Sequence, residues 1–503
     1  MSGMRTGRQA SWALKSAALL FLCVWLWPLS AAARADRIRF TEDGLVYIDG
    51  RPRLVIGLYE NPEDEGVLKQ VADSGFNLVR AGPDRQALDR LHKHGLYAWI
   101  PLGGTLALRE GDDAGRAALT DTVRRFKDDP ALLAWEAPDE ALWMTWFASY
   151  QWLAFEMPET LSGIIAKAAA NRSHEEVVRW QRMAEKASDL LWRSMWKEAE
   201  ATLNTLWAEL GTTNPKPDLY VTRRIEAARR LGDELTRGWE AVWELDQTHV
   251  MWQNHAPGNS IADMRYQNRG VNAAGCDIYP ILFTTGEPGS ILQNLDMTSV
   301  GTFTERNVAA APGKACWMVL QGFGYHDIQE PLFPKDPVHG RRPTYKETRF
   351  MAYDALLHGA DAILYWGTSY IEKDSQLWRD ILSVAKELRA LEPAIVGIKP
   401  PAAPAVVAET NWAAFDGGDP KLTLRRADDD WVLIAVNEAR VGVAFDVRGL
   451  PSELNGRKLY RLYSGEEHVV DNGGFHDGIQ QHDVHVYATS RRFEASLDYP
   501  YHA

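Results

Sequence analysis

The fold is decided by residues 53–82, which read RLVIGLYENPEDEGVLKQVADSGFNLVRAG. Two short apolar runs, at 53–59 and 76–82, flank a segment with the apolar spacing of a helix, and Gly75 stands where that helix should end. A third run, LYAWIPLG at 96–103, follows another helical segment. Strands that alternate with helices at this short spacing predict parallel strands joined by right-handed crossovers.

The same alternation continues through five more apolar runs. They are LLAWEAPDE at 132–140, HVMWQNH at 249–255, GCDIYPI at 275–281, CWMVLQGFG at 316–324 and AILYWGTS at 362–369. Eight such strands predict an α/β fold, the (β/α)8 or TIM barrel, over residues 36–398. A doubly wound open sheet is the alternative that the pattern leaves open.

Two segments depart from this pattern. Residues 141–246 show helical periodicity over a length far beyond that of an ordinary loop, which predicts a helical insertion after strand 4. From residue 399 a Pro/Ala linker leads into alternating strands with turn signals, which predicts a C-terminal antiparallel β-sandwich domain over 399–503.

The insertion is rich in Trp. Trp192 and Trp196 are four residues apart and are therefore predicted to share a helix face in the hydrophobic seam of a small bundle. Trp143 and Trp146 are the ones nearest to strand 4, and one of them is an alternative candidate for lining a substrate cleft.

The N-terminus has the pattern of a secretory signal. Basic residues precede the apolar run AALLFLCVWLWPL at 17–29, and Ala33-Arg34-Ala35 has the form of a cleavage site. We expect residues 1–35 to be removed and the protein to be exported, to a periplasm or to the cell exterior; a retained N-terminal anchor is the alternative. Since no other window approaches 18 apolar residues, no membrane association is predicted after cleavage.

Composition narrows the class of partner. A formal net charge of −13 over 503 residues makes nucleic acid and anionic lipid poor partners. Outside the signal the only cysteines are Cys276 and Cys316, which form neither a disulfide framework nor a zinc pattern. Strand 1 is also not followed by a Gly-rich phosphate loop. From these observations together, neither a metal nor a cofactor is predicted. The oligomeric state is left open.

In such a barrel the catalytic and binding side chains lie at the carboxyl ends of the strands. These ends carry Tyr59, Glu60, Arg80, Asp139, Glu140, Asn254, His255, Asp277, Tyr279, Gln321, Tyr325 and Trp366. Carboxyl groups beside aromatic rings are what carbohydrate chemistry uses, because rings stack on the apolar faces of sugars while an acid protonates the glycosidic oxygen. A carbohydrate substrate is therefore predicted. A lyase or esterase has no supporting motif, since the sequence lacks G-x-S-x-G.

The succession FNLVRAG, DPALLAWEAPDE, CDIYPI, WMVLQGFG and a final strand ending in Trp resembles the (β/α)8-barrel glycoside hydrolases of clan A. The resemblance covers the barrel segment. It implies that Glu140 is the general acid/base, that Arg80 helps to organise the site and that Trp366 forms a sugar platform. Two positions depart from the clan: Asp139 stands where Asn is usual, and Gln321 stands where a nucleophilic Glu is expected.

An amide cannot attack an anomeric carbon, so the second catalytic group is open. Asp277 is a candidate for the base of an inverting mechanism, while a nucleophilic Tyr279 or Tyr325 and assistance by a substrate amide are alternatives. The distance from Glu140 to its nearest carboxylate distinguishes retention, at about 5 Å, from inversion, at about 6.5–9.5 Å.

We therefore predict an exported glycoside hydrolase acting on an oligo- or polysaccharide. Its predicted catalytic residues are Glu140 and Asp277. Its predicted substrate-binding residues are Tyr59, Arg80, Asp139, Asn254, His255, Tyr279, Gln321 and Trp366.

Three other interpretations are kept open. A carbohydrate-binding or scaffold protein on a glycosidase barrel is favoured by Gln321. Asp139 and Glu140 could simply favour the start of the helix that follows them. Glu136 has the parity of an inward-facing residue and is expected to be satisfied by a polar neighbour such as Arg80.

Overall fold

The computed structural model describes residues 38–41, 45–281, 296–328, 340–397, 407–412 and 418–497. The predicted signal peptide and most of the predicted Pro/Ala linker therefore lie outside the described residues. A three-stranded antiparallel sheet precedes the barrel and comprises Ile38–Phe40 (β1), Val46–Ile48 (β2) and Arg51–Arg53 (β3).

Eight parallel strands close into a barrel. They are Val55–Leu58 (β4), Leu78–Arg80 (β5), Tyr97–Pro101 (β6), Leu132–Glu136 (β7), Val250–His255 (β8), Ala273–Ile278 (β9), Ala315–Gln321 (β10) and Ala362–Trp366 (β11). The last strand pairs with the first, with Ala362 opposite Val55, and this pairing closes the ring. The predicted barrel is thus confirmed, and the open sheet is excluded.

Helices surround the barrel. Those outside the insertion are Glu65–Asp73 (α1), Arg85–Lys93 (α2), Asp113–Phe126 (α3), Ile261–Gln267 (α9), Ser299–Ala310 (α10), Tyr325–Ile328 (α11), Tyr345–Leu357 (α12) and Gln376–Ile395 (α13). Gly75 follows α1 with φ of +93° and Gly95 follows α2 with φ of +71°, the left-handed conformation that favours glycine at the end of a helix. In the described part of the chain, none of the helices combines the length and apolar composition needed to cross a membrane.

The segment between β7 and β8 is helical, as predicted. It contains Ala141–Gln151 (α4), a π-helical turn at Trp152–Glu156, Met157–Ala169 (α5), His174–Trp192 (α6), Trp196–Glu209 (α7) and Val221–Trp243 (α8). Buried Trp152, Trp180 and Trp207 form its core with Leu161 and Leu203. The expectation that Trp192 and Trp196 share a helix face is wrong, because a turn that contains Ser194 at φ +57° separates α6 from α7.

The barrel interior is filled by aromatic side chains. The rings of Trp99 and Trp252 meet edge to face at 5.6 Å between centroids, and Trp317 lies 5.8 Å from Trp252. Space for this packing comes from glycine: a Cβ at Gly275 would lie 1.6 Å from the Trp317 carbonyl oxygen. The interior is therefore a packed core, and functional side chains have room at the strand ends.

Two antiparallel sheets follow the barrel. One comprises Val407–Trp412 (β12), Val443–Arg448 (β15) and Phe475–Ile479 (β18); the other comprises Lys421–Ala427 (β13), Asp430–Asn437 (β14), Asp483–Ala488 (β19), Lys458–Arg461 (β16) and Glu467–Val469 (β17). Their shared core contains Leu433, Phe445 and Tyr487. The predicted β-sandwich is thus confirmed.

Candidate active site

Glu140 occupies a strained position at the barrel mouth. The chain leaves β7 at Glu136, and Glu140 then adopts the left-handed conformation, with φ of +46°, as the residue before α4. Among the described residues its side chain makes no capping hydrogen bond to that helix. A non-glycine residue in this conformation costs about 1–3 kcal/mol and is typical of functional sites. The geometry therefore favours a role beyond starting a helix.

The Glu140 and Asp277 carboxyl groups are within hydrogen-bonding distance of each other. Asp277 lies on β9 and is partly exposed. Burial and the neighbouring Glu140 carboxylate raise the pKa of Asp277 well above its usual range, and burial also raises the pKa of Glu140. Two carboxyl groups can share a hydrogen bond only when one is protonated, and both raised pKa values favour that protonated form.

Asn254 connects this pair to Asp139. Its side-chain amide donates to Asp139 Oδ1 at 2.9 Å and to Asp277 Oδ1 at 3.4 Å. Asp139 occupies the position where the clan has Asn, and here an amide reaches it from the adjacent strand β8. The structure thus brings together four predicted site residues: Asp139, Glu140, Asn254 and Asp277.

A pair of oppositely charged residue types, Arg80 and Glu136, lies deeper in the barrel. Arg80 Nε donates to Glu136 Oε2 at 2.8 Å, so the expected pairing of these residues is observed. Burial raises the pKa of the fully buried Glu136 to about 7, while Arg80 and the nearby Trp99 indole act to lower it. The buried Tyr59 hydroxyl has no hydrogen-bond partner among the described residues, and the Arg80 guanidinium lies 5.7 Å from the centroid of the Tyr59 ring.

Aromatic rings gather beside the carboxyl pair. Tyr279 and Trp366 stack with centroids 5.5 Å apart, and the Phe323 ring packs edge-on against both at 5.1 Å. Tyr325 contacts Phe323 at 5.2 Å, and Tyr370 contacts Trp366 at 5.8 Å. These rings form one aromatic wall of the mouth.

Burial and the Asp277 carboxylate raise the pKa of both Tyr279 and Tyr325 well above the usual range of a phenol. Their hydroxyl groups therefore stay protonated. This does not favour either tyrosine as the nucleophile, because a nucleophilic phenol needs a lowered pKa or an adjacent base.

Gln321 is engaged by main-chain groups. Its Nε2 donates to the carbonyl oxygens of Ile281 at 3.0 Å and Phe323 at 3.1 Å, and its Oε1 accepts from Ile281 N at 2.9 Å. The side chain is fully buried. A carboxylate could not donate either of the first two bonds, so the amide at this position holds the segment after β9 in place.

His255 lies apart from this cluster. It follows Asn254 on β8, and successive strand residues point to opposite faces. Its Nε2 contacts Asn268 Oδ1 at 2.8 Å, outside the mouth, and burial lowers its pKa to about 4. The structure therefore does not bring His255 together with the other predicted substrate-binding residues.

Sequence reasoning missed Phe323 and Tyr370. Both follow a barrel strand by two to four residues, and continuing the search for aromatic side chains past each strand end would have found them. Glu60, at the end of the first barrel strand, forms an ion pair with Lys373, whose amine also donates to the Thr368 carbonyl oxygen at 2.6 Å.

Two groups of described residues have the donor atoms of a metal site, and both lie away from the mouth. The first comprises Asp354, His358 and Glu438; the second comprises Glu466, His468 and Asp477. Lys421 Nζ lies 3.4 Å from Glu438 in the first group, and Arg461 pairs with Glu466 at 2.5 Å in the second. A side-chain cation thus already balances carboxylate charge in each.

Several solved structures with a similar architecture are glycoside hydrolases. A glycoside hydrolase family 5 protein from Bacteroides vulgatus ATCC 8482 is 12% identical, with a TM-score of 0.50 over 90% of this chain and 93% of its own. Gan42B, a GH42 β-galactosidase from G. stearothermophilus, is 10% identical, with a TM-score of 0.49 over 87% of this chain and 98% of its own. A β-galactosidase from the psychrophilic Marinomonas ef1 is 15% identical, with a TM-score of 0.42 over 67% of this chain, which spans 60% of that protein.

At these identities the likeness shows the fold alone. The fold implied by the resemblance to (β/α)8-barrel glycoside hydrolases is therefore confirmed. No protein-family model matches the sequence, and the search of curated proteins found no relative.

Proposed function

We propose that this protein hydrolyses O-glycosidic bonds of an oligo- or polysaccharide, with Glu140 as the general acid and Asp277 as its partner carboxylate. The observation that carries the proposal is that these two carboxyl groups meet at the barrel mouth, where burial raises the pKa of both. A glycosidic oxygen leaves readily only when it is protonated, so a site for this reaction must hold a proton near neutral pH.

The Glu140 and Asp277 carboxyl groups interact directly, whereas about 5 Å separates the two carboxyl groups of a retaining site and about 6.5–9.5 Å those of an inverting site. The glycosidic oxygen and a water molecule therefore enter by parting the pair. Glu140 gives the proton of the pair to the oxygen as the glycosidic carbon–oxygen bond breaks. Asp277 takes a proton from the water as the water oxygen bonds to the anomeric carbon. The proton then returns from Asp277 to Glu140 through their hydrogen bond, which restores the starting state.

The remaining residues would position the sugar. Trp366 and Tyr279 offer aromatic surface for an apolar sugar face, and Asp139 and Asn254 offer a carboxylate and an amide for hydroxyl groups. The Arg80 guanidinium is held in place by its ion pair with the buried Glu136 carboxylate. Gln321 acts as a positioning residue, because its hydrogen bonds are made to main-chain atoms.

The proposed setting is outside the cytoplasm. It is supported by the signal-like sequence of residues 1–35, whose basic start, apolar centre and small-residue end match an export signal. A polymeric carbohydrate outside the cell is the kind of substrate that such an enzyme would meet.

The test replaces each member of the pair by its amide. We expect Glu140→Gln and Asp277→Asn each to lower the release of reducing sugar by about 100-fold or more, the range of a lost general acid or base. The matched control is Glu240→Gln, since Glu240 is an exposed carboxylate on α8 away from the mouth. A Glu140→Gln protein with full activity on natural glycosides would refute the assignment.

A carbohydrate-binding or scaffold role is the second candidate, because Gln321 leaves the usual nucleophile position without a carboxylate. It predicts that the unmodified protein binds glycans but releases no reducing sugar from them. Proton nuclear magnetic resonance of the anomeric signals during incubation separates the two functions and also reports retention or inversion.

A further inference from the structure

The first helix of the insertion carries an exposed apolar face. Met144, Phe147 and Tyr150 on α4 are 63%, 37% and 39% exposed, and Phe155 in the π-helical turn that follows is 52% exposed. Trp143 is partly exposed. Large contiguous apolar patches are uncommon on the surface of a monomeric soluble protein, and they typically mark a binding site.

The opposite side of α4 anchors the helix. Leu142 is fully buried in a cluster with Ala228 of α8, and Ser149 Oγ donates to the Leu219 carbonyl oxygen at 2.7 Å. At 100° per residue, Met144 and Phe147 therefore point away from α8. Because α4 starts directly after Glu140, it rises from the rim of the mouth with α8 behind it, over a length of about 16 Å.

The exposed rings share one face of α4, which begins directly after Glu140. Phe147 and Tyr150 follow Trp143 by four and seven residues, a spacing that keeps side chains on one face of a helix. The Trp143 and Phe147 rings are 5.5 Å apart between centroids, and Tyr150 and Phe155 are 5.8 Å apart. A row of rings thus begins one turn beyond the proposed proton donor.

Charge and position define the occupant. Residues 141–155 read ALWMTWFASYQWLAF and contain no charged side chain, and the chain as a whole carries a net charge of −13. Anionic lipid headgroups therefore find no cation within this segment. A protein bound to this face would block access to Glu140 at the mouth, whereas a substrate must reach Glu140. Neutral glycosyl units can stack their apolar faces on rings while their hydroxyls stay in water.

We propose that the aromatic face of α4, formed by Trp143, Met144, Phe147, Tyr150 and Phe155, binds successive glycosyl units of a neutral carbohydrate chain that continues into the mouth at Glu140. The substrate is accordingly a chain of several units and not a disaccharide. This inference rests on the proposed function and specifies its substrate class.

The experiment measures binding to an array of neutral oligosaccharides of two to ten units. We expect the unmodified protein to bind the longer members at least tenfold more tightly than the disaccharides. Phe147→Ser and Tyr150→Ser should each weaken binding to the longer members at least tenfold. The matched control is Trp192→Ser, because Trp192 is 78% exposed on α6 and lies off this face. Thermal unfolding of each variant close to that of the unmodified protein shows that the folds are comparable.

Three outcomes overturn the inference. In the first, the Phe147→Ser variant binds long oligosaccharides as tightly as the unmodified protein; in the second, the unmodified protein binds none of them. In the third, Phe147→Ser instead removes binding to phosphatidylcholine vesicles or dissociates a dimer. Glu140→Gln, tested in parallel, separates this inference from the proposed function. Length-dependent binding through Phe147 without any hydrolysis refutes the proposed function alone, and hydrolysis without length dependence refutes the binding face alone.

Discussion

Gln321→Glu restores the side chain expected at a clan A nucleophile position, yet we expect it to destabilise the protein and to add no activity. Gln321 is fully buried and donates two hydrogen bonds, to the carbonyl oxygens of Ile281 and Phe323. A glutamate can keep the bond it accepts from Ile281 N, but an ionised one can donate neither of the others. The substitution therefore places a carboxylate against two carbonyl oxygens.

The magnitude follows from two costs. A protonated glutamate can donate to one carbonyl, which leaves the other unsatisfied at a cost of about 1–3 kcal/mol. Holding the carboxyl group protonated at pH 7, against an ordinary pKa of about 4.3, costs roughly 1.4 kcal/mol for each pH unit, or about 4 kcal/mol. The sum of about 5–7 kcal/mol is comparable with the whole stability of many proteins, about 5–15 kcal/mol.

The second cost depends on pH. A carboxyl group whose pKa is raised in the folded state imposes no ionisation penalty below its unfolded pKa, and the penalty grows as the pH rises above it. Gln321→Glu should therefore lose only about 1–3 kcal/mol at pH 4.5 and the full amount at pH 7.5. Gln321→Met, of similar volume, removes the same hydrogen bonds without this dependence.

The assay is urea unfolding followed by tryptophan fluorescence for both variants at the two pH values, together with reducing-sugar release. A Gln321→Glu protein as stable as the unmodified one at pH 7.5 would show that the side chain is free to face the mouth. A gain of hydrolysis would show that Gln321 occupies a nucleophile site, and either result would refute the positioning role.

Three further predictions concern buried groups. The pKa of Glu136 is raised to about 7, so the free energy of unfolding should fall by about 3 kcal/mol as the pH rises from about 4.5 to 7. Glu136→Gln should remove this fall in urea unfolding, and an unchanged pH dependence would contradict the assignment. Gly275→Ala forces a Cβ to within 1.6 Å of a main-chain oxygen, so soluble folded protein should be lost, whereas Gly104→Ala, with no atom within 4 Å of its new Cβ, should unfold at nearly the original temperature. Arg349→Met leaves the fully buried Glu387 without its ion-pair partner and should lower the free energy of unfolding by about 3–5 kcal/mol, measured by thermal unfolding. Adding Glu387→Leu to the same chain should restore part of that stability.

The barrel was predictable because its evidence is local. Each strand is a short apolar run, and each connecting helix has its own periodicity and end signal, such as Gly75 at φ +93°. The break between Trp192 and Trp196 was not predictable in this way, since the turn residues Arg193, Ser194 and Met195 include neither Gly nor Pro. Local main-chain bonds close that turn, from Ser194 N to the Leu191 carbonyl oxygen at 3.0 Å and from Met195 N to the Leu190 carbonyl oxygen at 2.9 Å, with Ser194 in the left-handed position where glycine is usual.

The candidate site was predictable in part. The rule that strand ends carry function placed Glu140 and Asp277 among the candidates, but their contact joins β7 to β9 across β8, and no spacing along the chain reveals it. The position of His255 could have been inferred, since alternation along a strand forbids it from sharing a face with Asn254. The role of Gln321 could not, because its partners are main-chain atoms.

The raised pKa values of Glu140 and Asp277 follow from how charge is arranged at the mouth. Asp139, Glu140 and Asp277 bring three carboxyl groups together, with Asn254 donating to two of them. The cations at neighbouring strand ends are engaged elsewhere, Arg80 by Glu136 and Lys373 by Glu60.

Repulsion within the group is therefore relieved by protonation, and burial of Asp277 strengthens this tendency. A nucleophilic carboxylate on β10 would add a further negative charge to the same mouth. Gln321 avoids that charge, which is consistent with the proposed role of the mouth in transferring a proton and not in attacking the sugar directly.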